Sequence, residues 1–210
     1  KAGRLLTERK VVSAKRQGDS VAVVLDGEVA GIVTGTLGIS KTDSQSLSDE
    51  SVTQVFDSSR GCNQFVFRNN SCRNSRRVGV LAKGCGGLIE HNTFERLGGG
   101  GIEFWNSPFD GLGAVDYVVR NNSIKSCGRL ARECAPIWAI IFSTGGDMLH
   151  RNLLIENNEI AGSPLPGILL NDVKDSLVRK NRIAPDGGKP ADPIVLKNTH
   201  DVAVDDNPAP

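Results

Sequence analysis

The sequence is poor in aromatic residues, which make up 5% of its 210 positions, with one Tyr, two Trp and a single Met. It has almost no surplus of either charge, 25 Lys and Arg against 24 Asp and Glu, for a formal net charge of +1. Without a general basic excess to grip a phosphate backbone, nucleic-acid binding is not expected. No stretch approaches the ~18 consecutive apolar residues of a membrane-spanning helix. None of the five cysteines (Cys62, Cys72, Cys85, Cys127, Cys134) forms a C-x-x-C pair, which argues against a structural zinc site. Their odd number leaves at least one thiol free. Cys127 and Cys134 are near enough to staple a short loop, although a buried free thiol serves equally well as a small hydrophobe. The first residue is Lys1, with no apolar signal region after it, so the expectation is a piece or mature form of something longer. A secreted or periplasmic location is expected. There is no G-x-S-x-G, no P-loop and no cysteine partnered by histidine, so no nucleophile constellation stands out.

What the sequence has is repetition. Six segments share one pattern: VFRNNSC (66–72), LIEHNTF (88–94), VVRNNSI (118–124), LIENNEI (154–160), LVRKNRI (177–183) and AVDDN (203–207). Each reads apolar, apolar, charged, polar, Asn, and the complete ones then add an arbitrary residue and an apolar one. The asparagines are Asn70, Asn92, Asn122, Asn158, Asn181 and Asn207, spaced by 22, 30, 36, 23 and 26 residues. A second pattern follows every unit except the last: GVLAK (79–83), GIEFW (101–105), AIIFS (139–143), GILLN (167–171) and PIVLK (193–197). Apolar residues alternate within short runs, which is the strand period, and Gly, Asn, Asp and Ser break the runs. A repeat of about 22 residues built from short strands and turns implies stacked coils of a parallel β-helix. The two longer spacings become ordinary coils carrying insertions.

Stacking defines columns. Phe67, Ile89, Val119, Ile155, Val178 and Val204 are expected to point inward, as are Cys72, Phe94, Ile124, Ile160 and Ile183 after the turn. The asparagines between them suit buried turns, where a side-chain amide bonds the backbone of its own and neighbouring coils. The outward column beside them reads Arg68, Glu90, Arg120, Glu156, Arg179, Asp205, alternating in sign at every coil, so Glu90 and Glu156 read as partners of arginines rather than catalysts. In the second pattern the expected inward residues are Val80, Ile102, Ile140, Ile168 and Ile194, then Ala82, Phe104, Phe142, Leu170 and Leu196. The outward column becomes Leu81, Glu103, Ile141, Leu169 and Val195. An apolar stripe on an outer face implies a cover, such as a further domain or subunit.

The N-terminal part differs. Residues 10–26 read as a hairpin about an RQGD turn, and residues 41–51 as a polar linker. The expected organisation is therefore an N-terminal β appendage and linker over 1–51 and a parallel β-helix over 52–210.

Candidate chemistry collects on two neighbouring insertions, NSPFDGLGAVD (106–116) and KSCGRLARECAPIW (125–138). With Glu103 and Trp105 they offer the carboxylates Asp110, Asp116 and Glu133, together with Arg129, Arg132 and both tryptophans. Indole faces, carboxylates and arginines suit a sugar ring. Glycoside hydrolysis needs one protonated and one ionised carboxyl group. Glu103, among apolar column neighbours, is the expected acid, and Asp110, on a Gly-flanked loop, the expected base. An inverting pair stands ~6.5–9.5 Å apart. Trp105, Asn106, Arg132, Trp138 and His150 are the expected substrate-binding residues, with Asp147 and Arg151 as weaker candidates. No metal or cofactor is required. A polysaccharide lyase acting on a uronate polymer is the alternative enzyme, using a base among Lys83, Lys197, Arg132, His150 and Arg151, with calcium as an option. A non-catalytic carbohydrate-binding or assembly module is the alternative outside enzymes. The GGGG run (98–101) has no helix after it, so it reads as a tight corner and not a phosphate loop.

The repeated NNSI, HNTF and NNEI units with GIEF and GILL strands, over about 52–207, resemble the right-handed parallel β-helix superfamily of carbohydrate-active proteins. Within them, FVFRNNSC through VVRNNSI is similar to the α-1,3-galactosidases of glycoside hydrolase family 110. The six repeats imply a right-handed parallel β-helix of about six coils, and the resemblance adds small β-barrel elements. It further implies metal-independent, inverting hydrolysis by acidic residues. Where that family tends to carry an aspartate after the GI-strand, Asn106 stands here and Asp110 carries the acid.

Overall fold

A computed structural model describes residues 7, 9–30, 63–106, 113–129, 135–141, 150–163, 166–184, 186 and 192–208. They belong to two compact units, the first containing residues 9–30 and the second all described residues from 63 onward.

In the first unit β1 (Val11–Gln17) pairs antiparallel with β2 (Ser20–Leu25). Gly18, at φ 62°, takes the left-handed conformation the turn needs, and the Ser20 hydroxyl donates to the Gln17 carbonyl at 2.9 Å. The open end is tied by reciprocal bonds between Lys10 and Asp26. The linker expected over 41–51 and the boundary at 51/52 lie outside the described residues.

The second unit is a solenoid of three parallel sheets. The first holds β3 (Phe65–Arg68), β6 (Cys85–Glu90), β9 (Val115–Arg120), β12 (His150–Glu156), β15 (Val173–Arg179) and β18 (His200–Asp205). The second holds β4 (Ser71–Ser75), β7 (Thr93–Leu97), β10 (Ser123–Lys125), β13 (Glu159–Ala161) and β16 (Arg182–Ala184). The third holds β5 (Val80–Leu81), β8 (Ile102–Asn106), β11 (Ile137–Ile141), β14 (Ile168–Asn171) and β17 (Ile194–Lys197). The chain visits the sheets in rotation, and sheets of six, five and five strands come slightly short of six full coils.

The expected columns form in the first two sheets. Phe67, Ile89, Val119, Ile155, Val178 and Val204 align rung by rung, and so do Cys72, Phe94, Ile124, Ile160 and Ile183. From Ile89 to Val178 the first column is fully buried. Among the described cysteines Cys72, Cys85 and Cys127 are free thiols, and buried Cys127 joins the core.

Between the first and second sheets the asparagines make a continuous polar spine. The Nδ2 of Asn70, Asn92, Asn122, Asn158 and Asn181 donates to the Oδ1 of the next asparagine at 2.9–3.2 Å. The same Oδ1 also accepts the backbone N–H of the preceding asparagine at 2.9–3.1 Å. Further Nδ2 bonds reach strand carbonyls one coil back, such as Asn122 to Ile89 at 2.9 Å. Each turn thereby satisfies polar groups that no water reaches. The residue before each asparagine is left-handed: Asn69, His91, Asn121, Asn157, Lys180 and Asp206, at φ 45–57°. Asn tolerates that conformation better than Lys or His.

The alternating charges also form. Arg120 Nε donates to Glu90 at 2.9 Å and Arg179 Nε to Glu156 at 2.9 Å, so both carboxylates serve as rungs of a charge ladder. Gly87 is required by close approach: a Cβ there would lie 2.0 Å from the Tyr117 ring stacked on the next rung.

In the third sheet one coil is shifted from expectation. Ile137, not Ile140, aligns with Ile102 and Ile168, and Ala139 aligns with Phe104 and Leu170. Phe142 lies outside the described residues. The run from Ile137 to Phe142 is apolar throughout, so its alternation selects no register. Packing does: the Phe104 ring sits 5.1 Å from Tyr117 and 6.3 Å from His150, and small Ala139 fills the next layer.

Two outcomes test the spine. Asn122→Ala orphans the Asn92 N–H and the Ile89 carbonyl inside the solenoid. It is expected to lower unfolding stability by roughly 3 kcal/mol or more, read from urea midpoints. Lys180→Asn, which places a left-handed-tolerant residue in the turn, is expected to raise it by up to ~1 kcal/mol.

Candidate functional site

The outer face of the third sheet carries the residues with chemistry. Its first outward column is Leu81, Glu103, Trp138, Leu169, Val195. The register shift puts Trp138, instead of the expected Ile141, on the rung beside Glu103. Neighbouring rungs are roughly 4.8 Å apart, so the indole and the carboxyl are adjacent. Trp105 lies two residues along β8 from Glu103, on the same face, and is 41% exposed. The Lys83 ammonium stands 5.8 Å from the Trp105 ring centroid, within cation–π range. Trp138 is half-buried, and its Nε1 is a buried donor with no acceptor among the described residues. Along the expected apolar stripe Leu81 is 41% exposed, whereas Leu169 is buried.

Glu103 is only 5% exposed. Its Oε1 accepts the Gly100 N–H at 2.7 Å. The glycine run is what allows this. A Cβ on Gly100 would meet the Ala135 carbonyl at 2.7 Å and Glu103 Oε1 at 3.0 Å, and one on Gly99 would meet Val78 at 2.7 Å. The corner after β7 therefore lies flat against the carboxyl. Burial raises the Glu103 pKa above the ordinary carboxylate value, and the Gly100 hydrogen bond opposes part of that rise. A carboxyl in this state holds its proton into less acidic solution than a solvated one.

His150 is placed differently from expectation. It is 1% exposed and sits at the start of β12 inside the solenoid. Its Nδ1 accepts the Ala114 N–H at 2.8 Å. Nε2 lies 3.2 Å from the Ile140 carbonyl, which assigns the proton to Nε2. Burial holds its pKa down at about 4. It is a neutral core histidine with both nitrogens engaged, which removes it from the substrate-binding set. Asn106 is likewise fully buried, at the end of β8. Asp116 lies within β9, left-handed at φ 58°, and accepts a hydrogen bond from Asn152 on the next coil. Arg151 is half-buried on β12, and Lys197 is exposed at the end of β17. Asp110, Arg132, Glu133 and Asp147 lie outside the described residues.

A second perturbed acid went unremarked in the sequence. Asp172 is buried after β14, and burial raises its pKa while a bond from Asn198 opposes the rise. The Asn171 amide donates to Asp172 Oδ2 at 2.9 Å, and Asn198 Nδ2 donates to Asn171 Oδ1 at 3.2 Å. The signal was present: GIEFWN, GILLND and PIVLKN all place Asn or Asp in sixth position, as Asn106, Asp172 and Asn198.

Among the described residues no three His, Cys, Asp or Glu side chains converge as a metal site would require. Nor, among them, is any helix long and apolar enough to cross a membrane. A family model described as a right handed beta helix region matches residues 57–207. No curated protein and no solved structure matches the chain.

The buried imidazole sets an acid limit on stability. Its folded pKa of about 4 lies below the ~6.5 of an unfolded histidine. As pH falls from about 6.5 to about 4 only the unfolded chain takes up this proton, and roughly 3 kcal/mol of stability drains away. Denaturation midpoints across that window should show the loss, and His150→Gln should flatten it.

Proposed function

The chain belongs to the right-handed β-helix family, which includes carbohydrate-active enzymes, and we propose that it is a glycoside hydrolase whose glycan lies across the outer face of the third sheet. The observation that carries this reading is the buried carboxyl of Glu103, its pKa raised by desolvation, with Trp138 on the adjacent rung and Trp105 on the same strand. A general acid must carry its proton when it acts, and desolvation shifts the Glu103 carboxyl in that direction. The two indoles supply flat apolar surfaces for sugar rings, and Lys83 beside Trp105 supplies a donor for hydroxyl groups. In this proposal Asp110 is the base that activates water, giving inversion. A galactose-containing glycan is the favoured substrate, because residues 65–124 resemble the galactosidase pattern. Arg132 is assigned to substrate binding on sequence position.

The Gly100 bond supports a second reading, in which Glu103 only braces the glycine corner and the face binds glycan without turnover. Glu103→Gln separates the two. The glutamine oxygen still accepts the Gly100 N–H, so the fold and glycan affinity should persist. Loss of the acid should cut galactoside turnover by about 10²–10⁴-fold. Undiminished turnover in Glu103→Gln overturns the assignment of the acid.

Glu103 must be protonated to act, so wild-type turnover should fall as pH rises through its raised folded pKa, measured as a pH–rate profile. Trp105→Ala should weaken glycan binding by about tenfold with little change in melting temperature, since its ring is largely exposed.

A further inference from the structure

On the first sheet Arg120 and Arg179 each pair with a glutamate of a neighbouring rung, whereas most cations on the first three coils of the second sheet and the turn after β4 have no such partner among the described residues. Arg73 on β4, Glu95 on β7 and Lys125 on β10 form one outward column. Arg96 follows Glu95 on β7, and its Nε donates to Asn74 Oδ1 at 2.7 Å, which holds the guanidinium across two coils. Arg76 and Arg77 occupy the turn after β4, and that turn stacks on the glycine corner of the next coil through Gly98 N–H to the Ser75 carbonyl. Gly98 and Gly99 put no side chain beneath the two arginines. All five cations are exposed. One carboxylate answers them: Glu95 pairs with Arg73 at 3.4 Å and with Arg96. Arg76, Arg77 and Lys125 make no ion pair among the described residues. In a chain whose charges otherwise balance, five cations around one anion on three successive coils is a local concentration.

We propose that this surface binds an acidic polysaccharide, one carrying a carboxylate on its sugar units, along the coil axis. The rungs repeat at roughly 4.8 Å, a rise close to that of one sugar in an extended chain, so sugars a rung apart meet Arg73, Arg76 and Arg77 on the first coil, Arg96 beside Glu95 on the second and Lys125 on the third. The outward positions among the cations are Ser71, Thr93 and Ser123, short hydroxyls that leave the face flat and can bond sugar hydroxyls. No aromatic ring stands among them to stack a nucleic-acid base. The surface lies around the corner from Glu103 and does not use its carboxyl. It therefore adds an anchoring site for acidic glycan to the proposed third-sheet site and stands or falls separately.

The experiment measures binding of the full chain to polygalacturonate, neutral galactan and duplex DNA at low and high salt. Polygalacturonate should bind at low salt and be released at high salt, as surface ion pairing demands. The double variant R76E/R77E should weaken that binding by at least about tenfold, with melting temperature unchanged. The milder pair R76Q/R77Q should weaken it less. Glu103→Gln should leave it intact, which separates failure here from failure of the hydrolase reading. Equal binding of neutral galactan, tighter binding of DNA, or unaltered affinity in both double variants would overturn the proposal.

Discussion

The hydrogen bond from one turn asparagine to the next is the constraint on which the solenoid depends. A coil with a tight corner must bury the backbone groups of that corner between its neighbours. Water cannot reach them, and an unpaired buried group costs about 1–3 kcal/mol. From Asn92 to Asn207 each amide oxygen accepts two N–H groups from the coil before, and each amide nitrogen donates to backbone as well. Asparagine alone among the side chains has the length and the paired donor and acceptor for this in so tight a turn. The spine also fixes register. A slip of one residue would break every bond in it and turn each inward column to solvent.

Register in turn decides which side chains share a face. With the asparagines aligned, Glu90 and Glu156 fall beside arginines and are neutralised, while Glu103 falls between Leu81 and Trp138 and is desolvated. Three glutamates of one chemistry thus acquire different surroundings from position in the stack. The glycine corner completes the effect, because only residues without a Cβ can lie against the Glu103 carboxyl and the Ala135 carbonyl together. The same corner stacks, without side chains at Gly98 and Gly99, on the turn that carries Arg76 and Arg77. A single run of glycines therefore shapes both the acid's environment and the basic surface next to it.

Much of this was legible in the sequence, because a repeat displays its columns when its units are aligned. The six asparagines, the inward columns of the first two sheets and the alternating charges all follow from the recurring NNSI-type unit. The third sheet was harder. The run from Ile137 to Phe142 is apolar at every position, so periodicity could not choose between Ile137 and Ile140, and small Ala139 against Phe104 settled it. That choice brought Trp138 to Glu103. His150 was misread because burial of a lone polar residue at a strand start leaves no periodic trace; its partners, Ala114 and Ile140, are distant in sequence. Asp172 was missed although its sixth-position signal was present.

The solenoid holds together only if the turn asparagines are locked to one another. Amide hydrogen exchange of the intact chain tests it. The backbone N–H groups of Asn92, Asn122 and Asn158 should exchange as slowly as those of core strand residues such as Ile89 and Ile155, despite sitting in turns. Exchange as fast as at an exposed surface turn would show that the spine does not hold the coils, and would contradict the account.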